Sequence, residues 1–279
     1  MTTVPHSLFA AEDSPDSTAK HADRVSFTEG MNHIAALIWR GALRIRKAPD
    51  QLLDVTLQPL LFLLLFSFLF GGAVAGSTED YLQQLVPGLA VQNTIMASFA
   101  AGVYLNTDIN KGIFDRFRSL AIPRSAPLIG AVISDIVRYF VALAVLLLTA
   151  FPLGFSLNSS IPAFFMTIVV LVVVGLCFCW MSVFVGMLVR TTASVQGLMT
   201  MFVIPLTFGS NVFVPTETMP GWLAAWSDVN PVSLIADVMR GLMLRNELSP
   251  SILGVVAWLV GIVAVFFPLA MWAYRRRVG

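Results

Sequence analysis

The chain has 279 residues, of which 57% are hydrophobic and only 12% are charged, and its formal net charge is +1. A water-soluble domain of this size would lack the polar residues needed to cover its surface, so the composition predicts an integral membrane protein. The near-zero net charge by itself indicates no particular partner, and we expect no nucleic acid to bind.

The first segment, residues 1–26, is polar and contains two prolines and four acidic residues. It has neither a basic start nor an apolar run that ends at a small-residue cleavage site. This pattern favours a disordered cytoplasmic tail over a cleaved signal peptide.

Residues 27–53 have apolar side chains at every third or fourth position, with Arg40, Arg44 and Arg46 between them. The pattern predicts an amphipathic helix in the plane of the lipid headgroups, which Pro49 interrupts before the first span. Two interpretations remain open at this point: a membrane anchor alone, or an anchor that also contacts a cytoplasmic partner.

Long apolar stretches follow, and they predict about six transmembrane helices because roughly 20 apolar residues are needed to cross the hydrocarbon core. The stretches are 57–74, 86–105, 139–155, 164–189, 195–214 and 252–273. Basic residues cluster before span one, between spans two and three, after span four and at the end of the chain, which is typical of cytoplasmic loops. We therefore expect residues 54–279 to form an all-α membrane domain, with both termini of the chain in the cytoplasm.

The segment between spans two and three combines charged residues with apolar residues at helical spacing. The apolar members are Ile113, Phe114, Phe117 and Leu120, and the charged members beside them are Asp115, Arg116 and Arg118. This spacing predicts a short helix whose aromatic side chains fill a groove on a soluble protein. A merely solvated loop fits the periodicity equally well.

Ionisable residues inside a span would indicate an ion-coupled carrier, because burying a charge in lipid is unfavourable unless it is paired. Asp135 and Arg138 lie near the start of span three, three residues apart, where their side chains can neutralise each other. A structural ion pair is the favoured interpretation, and a proton or sodium relay is the alternative.

After span five, turn residues and tryptophans predict an external, partly inserted broken hairpin. Pro220 and Gly221 interrupt a continuous helix, and Trp222 is typical of the membrane interface. The sequence from Asn230 and Pro231 onward is again helical in pattern.

Several kinds of chemistry have no residues to support them. None of the three lysines is followed by Ser or Thr, so no phosphate-binding loop is present and any ATP must be hydrolysed on another chain. The three histidines have no second ligand at metal spacing, and no nucleophile motif occurs. We expect no enzyme, no catalytic residue, no metal and no cofactor.

Several short motifs, taken together and in order, resemble the type 2 family of bacterial ATP-binding-cassette export permeases, most nearly the daunorubicin-resistance membrane subunits and their relatives. The resemblance covers about residues 28–276. The motifs are residues 46–49, 70–72, 115–120 with Pro123, 213–215, 219–222, 230–233 and 240–241.

The resemblance implies a permease in a bacterial inner membrane that forms a homodimer or heterodimer and pairs with two copies of a separate ATP-binding subunit. It implies that the amphipathic helix is a connecting helix and that the loop between spans two and three is a coupling helix seated in the ATP-binding subunit. The coupling residues would be Asp108, Gly112, Phe114, Asp115, Arg116, Phe117, Arg118 and Leu120.

The substrate implied by the resemblance is a hydrophobic or amphipathic drug or a lipid-like molecule that leaves the cytoplasm through the membrane. Export of a glycolipid or polysaccharide is one alternative within the family. An ion-coupled carrier or channel that works without ATP is an alternative from a different class.

Overall fold

The structure, a computed structural model, describes residues 49–111 and 126–278. Within these ranges the chain forms helices and connecting turns without a β-strand, so the predicted all-α class is confirmed. The predicted tail, 1–26, lies outside the described residues, as does the predicted amphipathic helix except for residues 49–53. Those five residues begin the first helix, which continues without a break into predicted span one.

We number the α-helices of the described residues in chain order. They are α1 Pro49–Val74, α2 Thr78–Ala97, α3 Phe99–Asn110, α4 Ala126–Ala150, α5 Ile161–Leu188, α6 Thr192–Phe208, α7 Gly221–Val229, α8 Pro231–Arg240 and α9 Ile252–Val278. Short helical turns, Phe151–Leu153, Thr216–Thr218 and Gly241–Arg245, extend or connect them.

Four helical stretches among the described residues are long and apolar enough to cross a membrane. They are Thr78–Asn110, which combines α2 and α3, Asp135–Leu153, Ile161–Leu188 and Ile252–Arg276. Predicted spans one and five correspond to shorter apolar stretches, Leu57–Gly72 and Thr192–Phe208.

Two predicted spans have different ends in the structure. Span two does not stop at residue 105, because α3 continues to Asn110. Span five does not reach residue 214, because α6 ends at Phe208. The Asn230 Nδ2 donates hydrogen bonds to the carbonyl oxygens of Leu206, at 2.7 Å, and Gly209, at 3.1 Å, and so satisfies the end of α6.

Helix α2 lies at the centre of the bundle, packed against α1, α4, α5 and α8. Its side chains Tyr81, Leu85 and Leu89 are fully buried, and the Tyr81 hydroxyl donates a 2.8 Å hydrogen bond to the carbonyl of Phe213. Helix α9 packs on α5 and turns large apolar side chains outward. An apolar exterior around a buried centre is the arrangement that a lipid environment favours.

Helices α3 and α5 cross with their backbones in contact. A Cβ added to Gly102 would lie 2.1 Å from the carbonyl oxygen of Ser182, and one added to Gly186 would lie 2.4 Å from the carbonyl oxygen of Gly102. Small residues of this kind let membrane helices approach closely and gain van der Waals contact. The crossing therefore depends on both glycines.

We expect Gly186→Ala to lower the melting temperature of the purified chain, because the added methyl group separates α3 from α5 at a loss of about 1–3 kcal/mol of stability. Gly197→Ala on α6 is the matched control, since a Cβ at Gly197 meets nothing within 4 Å. Thermal unfolding in detergent measures both variants. Equal melting temperatures for the two would contradict the close crossing.

Candidate functional site

The predicted coupling segment follows directly after α3. Asp108, the first predicted coupling residue, lies half-buried in the last turn of α3. The other predicted coupling residues and the three arginines of the connecting helix lie outside the described residues: Gly112, Phe114, Asp115, Arg116, Phe117, Arg118, Leu120, Arg40, Arg44 and Arg46. The structure thus shows the helix that leads into the segment.

The end of α3 caps the end of α5. The Asn106 Nδ2 donates to the carbonyl oxygens of Gly186, at 2.9 Å, and Val189, at 2.7 Å. One turn later, the Asn110 Nδ2 donates to the carbonyl of Arg190 at 2.9 Å. Carbonyls at the end of a helix lack an intrahelical donor, so these two amides supply the missing hydrogen bonds.

Sequence reasoning missed this junction because it assigned residues 106–110 to a loop. The signal that was available is the pair Asn106 and Asn110, two amides one helical turn apart at the end of an apolar stretch. Their acceptors, Gly186, Val189 and Arg190, lie at the end of α5 and just after it, about 80 residues further along the chain. Spacing within one helix does not identify such partners.

Ser182 of α5 joins the same two helices at the point where α2 gives way to α3. Its Oγ donates a 2.8 Å hydrogen bond to the carbonyl of Phe99 and accepts one of 3.1 Å from the backbone N–H of Gly102. The polar contacts of Ser182, Asn106 and Asn110 follow the α3–α5 crossing along its length. We call these three residues, with Gly102 and Gly186, the α3–α5 junction.

Asp135 and Arg138 lie on α4 with their side chains almost fully buried, and the Arg138 Nη1 is 3.5 Å from the Asp135 Oδ1. The Arg138 guanidinium also donates a hydrogen bond to the Tyr104 hydroxyl, and its Cζ lies 4.6 Å from the centre of the Tyr104 ring. Tyr104 belongs to α3. Arg138 therefore pairs with a carboxylate on its own helix, Asp135, and also joins α4 to α3, the helix that precedes the predicted coupling segment.

The predicted broken hairpin corresponds to α7 and α8. Helix α7 begins at Gly221, directly after Pro220, and its Trp222 is 75% exposed. Asn230 separates the two helices and is the N-cap of α8, which begins at Pro231. The Asn230 Oδ1 accepts a 2.9 Å hydrogen bond from the backbone N–H of Val232. The helix break therefore lies at Asn230 and Pro231.

Arg240, at the end of α8, fastens the hairpin to the bundle. Its Nη1 lies 2.9 Å from the Asp237 Oδ1. The same guanidinium donates to the carbonyl oxygens of Asn211, at 2.6 Å, and Gln84, at 3.3 Å, and Gln84 belongs to α2. Because one side chain holds three acceptors on different segments, α8 is fixed against the central helix.

The fold and these junctions define a polytopic α-helical membrane protein whose helix ends are satisfied by polar side chains. The model of the ABC-2 type transporter family matches residues 32–244, and the chain belongs to this family. The predicted family membership is confirmed.

Curated relatives support the same assignment. The chain is 41% identical over 240 residues to the daunorubicin resistance ABC transporter permease protein DrrB1 of Streptomyces coeruleorubidus, covering 86% of this chain and 85% of that protein. It is 28% identical over 220 residues to the probable doxorubicin resistance ABC transporter permease protein DrrC of Mycobacterium tuberculosis, covering 78% and 79%. It is 27% identical over 226 residues to the putative transport permease ycf38 of Cyanophora paradoxa, covering 78% and 76%.

The chain is therefore the membrane-spanning permease subunit of an ATP-binding-cassette transporter. Such a permease is not itself an enzyme, and its partner is a separate ATPase subunit. The predictions that this chain is a permease subunit rather than an enzyme, and that ATP is hydrolysed on a separate subunit, are therefore confirmed.

We expect Asp135→Leu to lower the melting temperature strongly, because it leaves the Arg138 charge buried without its carboxylate, a change that typically loses about 3–5 kcal/mol. The double variant Asp135→Leu with Arg138→Leu should recover most of that stability. Thermal unfolding of the purified chain measures the effects.

Asp237→Leu is the matched control, since Asp237 also pairs with an arginine three residues later but its side chain is 36% exposed. We expect it to have a smaller effect, because Asp237 is partly in contact with solvent and Arg240 keeps its two carbonyl acceptors, Asn211 and Gln84. Equal losses for the two aspartate variants, or a double variant less stable than Asp135→Leu, would contradict a buried structural pair.

Proposed function

We propose that this permease exports a hydrophobic or amphipathic drug from the cytoplasm across a bacterial inner membrane. The observation that carries the proposal is the likeness, over most of the chain, to permeases named for daunorubicin and doxorubicin resistance. The proposed complex contains two permease chains and two ATPase subunits, in which the apolar exterior of the bundle contacts lipid and the second permease.

The coupling mechanism that we propose starts at residues 112–120, with Phe114 and Phe117 inserted into the ATPase subunit and residues 27–53 resting beside them as the connecting helix. Closure of the ATPase pair on ATP would displace this segment and, with it, α3. The α3–α5 junction supports this route, since backbone contact at Gly102 and Gly186 and the Asn106 hydrogen bonds make α3 and α5 move together.

We further propose that Asp135 and Arg138 are a structural ion pair and that the α7–α8 hairpin, with Pro220, Gly221, Trp222, Asn230 and Pro231, lies at the outer face. Their contacts support this assignment. Arg138 is engaged by Asp135 and Tyr104, and the exposed Trp222 has the amphipathic ring typical of the membrane interface.

The proposed orientation places both termini and Lys111 in the cytoplasm and the loop that contains Glu247 outside. In a chain whose Cys177 and Cys179 are replaced by alanine, we expect Glu247→Cys to react with a membrane-impermeant maleimide in intact cells. Lys111→Cys should react only after the cells are permeabilised. Both residues are exposed at the surface of the chain. The opposite labelling pattern would reverse the orientation.

Phe114→Asp and Phe117→Asp test the coupling segment. We expect each variant to enter the membrane normally, to lose most of the co-purifying ATPase subunit and to lose ATP-dependent drug transport, because an acidic side chain removes an apolar anchor from the partner's groove. Affinity purification from native membranes shows whether each variant enters the membrane. Mass spectrometry and an ATPase assay of the purified material show whether the ATPase subunit is retained.

Leu248→Asp is the matched control, an exposed apolar residue changed to an acid in the loop after α8, with its side chain 56% exposed. It should retain the ATPase subunit and the transport. A purified chain that transports in liposomes without ATP or any partner would overturn the proposed function in favour of an ion-coupled carrier.

A further inference from the structure

A cavity of about 520 Å³ lies between α1, α2, α3, α4 and α6. Helices α1, α2, α3 and α6 each contribute several lining residues, and α4 contributes Arg138. Gln58 and Phe62 come from α1, and Gln196 and Thr200 come from α6. The volume is within the range of roughly 300–1,000 Å³ that is typical of sites for drug-sized ligands.

Polar side chains converge on this cavity although its helices are apolar. Gln92 and Asn93, adjacent residues of α2, line it while being only 1% and 6% exposed. The Gln92 Oε1 and the Asn93 Nδ2 have no hydrogen-bond partner among the described residues. Unsatisfied polar atoms inside a protein are unfavourable by about 1–3 kcal/mol each, so a pair of them beside one cavity needs an explanation.

The two unsatisfied atoms are of opposite type, since one accepts and the other donates a hydrogen bond. A ligand edge that carries both a donor and an acceptor, such as a hydroxyl beside a carbonyl, would offer a partner to each of them. The walls around them are apolar and aromatic, with Phe62, Phe99 and Phe208 among the lining residues. An occupant that matches these walls has an apolar, partly planar body and an uncharged polar edge.

The α4 wall of the cavity is Arg138, whose charge is compensated by Asp135. A compensated guanidinium does not require an anionic ligand. A polysaccharide would need polar partners along its length, whereas most of this lining is apolar, and this favours a small molecule over the glycan alternative.

We propose that this cavity is a substrate site for amphipathic small molecules, in which Gln92 and Asn93 form hydrogen bonds with an uncharged hydroxyl or carbonyl edge. The inference rests on the proposed export function and deepens it by assigning a binding site, the uncharged polar edge of the substrate and two binding residues. It needs neither ATP nor the ATPase subunit, because binding to the permease chain precedes transport.

The test measures binding of daunorubicin to the full-length chain in lipid nanodiscs by equilibrium dialysis. We expect saturable binding, weakened about three- to tenfold by Gln92→Leu and by Asn93→Leu, the range that the loss of one hydrogen bond gives. Gln83→Leu is the matched control, because Gln83 is an amide of the same helix that donates to the carbonyl of Gly154 and does not line the cavity. It should bind as the unmodified chain does.

Met96→Trp provides a second test that does not depend on the amides. Met96 lines the cavity, and the larger side chain should occupy the space and reduce daunorubicin binding at least tenfold while the chain stays monodisperse. Absence of saturable binding to the unmodified chain, equal losses in Gln83→Leu and the cavity variants, or unchanged binding in Met96→Trp would overturn the site.

Failure of the site and failure of the proposed function are distinguishable. If ATP-dependent transport and the ATPase partner are retained while the cavity variants bind normally, the export function stands and the site is wrong. If the cavity variants lose binding but no ATPase subunit co-purifies with the unmodified chain, the site stands and the export function is wrong.

Discussion

The requirement that backbone polar groups find partners inside a hydrocarbon layer governs the whole arrangement of this chain. At several helix ends and junctions of the described residues, an amide or hydroxyl side chain from elsewhere in the chain supplies a hydrogen bond to the backbone. Asn106 does this for α5, Asn230 for α6 and Ser182 for the break between α2 and α3. The same contacts that satisfy the backbone also determine which helices are joined.

This constraint explains why structural and functional features coincide at α3. Its first turns lie against α5 with no space for a side chain at Gly102, its middle holds Tyr104 beside Arg138, and its end leads into the proposed coupling segment. The cavity borders the same helix. A displacement that reaches α3 therefore acts on the ion pair, on α5 and on the cavity wall together.

Apolar length and basic loops were sufficient to predict an all-α membrane protein, and ordered motifs were sufficient to predict its family. Pro231 marks the break between α7 and α8, and proline makes such a break visible in sequence. The break at Ser98 involves neither proline nor glycine and depends on Ser182, far along the chain. The partners of Asn106 and the unsatisfied state of Gln92 likewise exist only after distant helices have assembled, and hence sequence patterns did not predict them.

The order in which the helices emerge from the ribosome has a consequence for membrane insertion. The stretch Thr78–Asn110 is mostly buried inside the chain, whereas Ile252–Arg276 is mostly exposed on its outside. The amides of α2 and α3 make this stretch a poor lipid-facing segment, and its packing partners α5 and α8 are synthesised later. The packing of this second hydrophobic segment is therefore complete only after translation has passed α8.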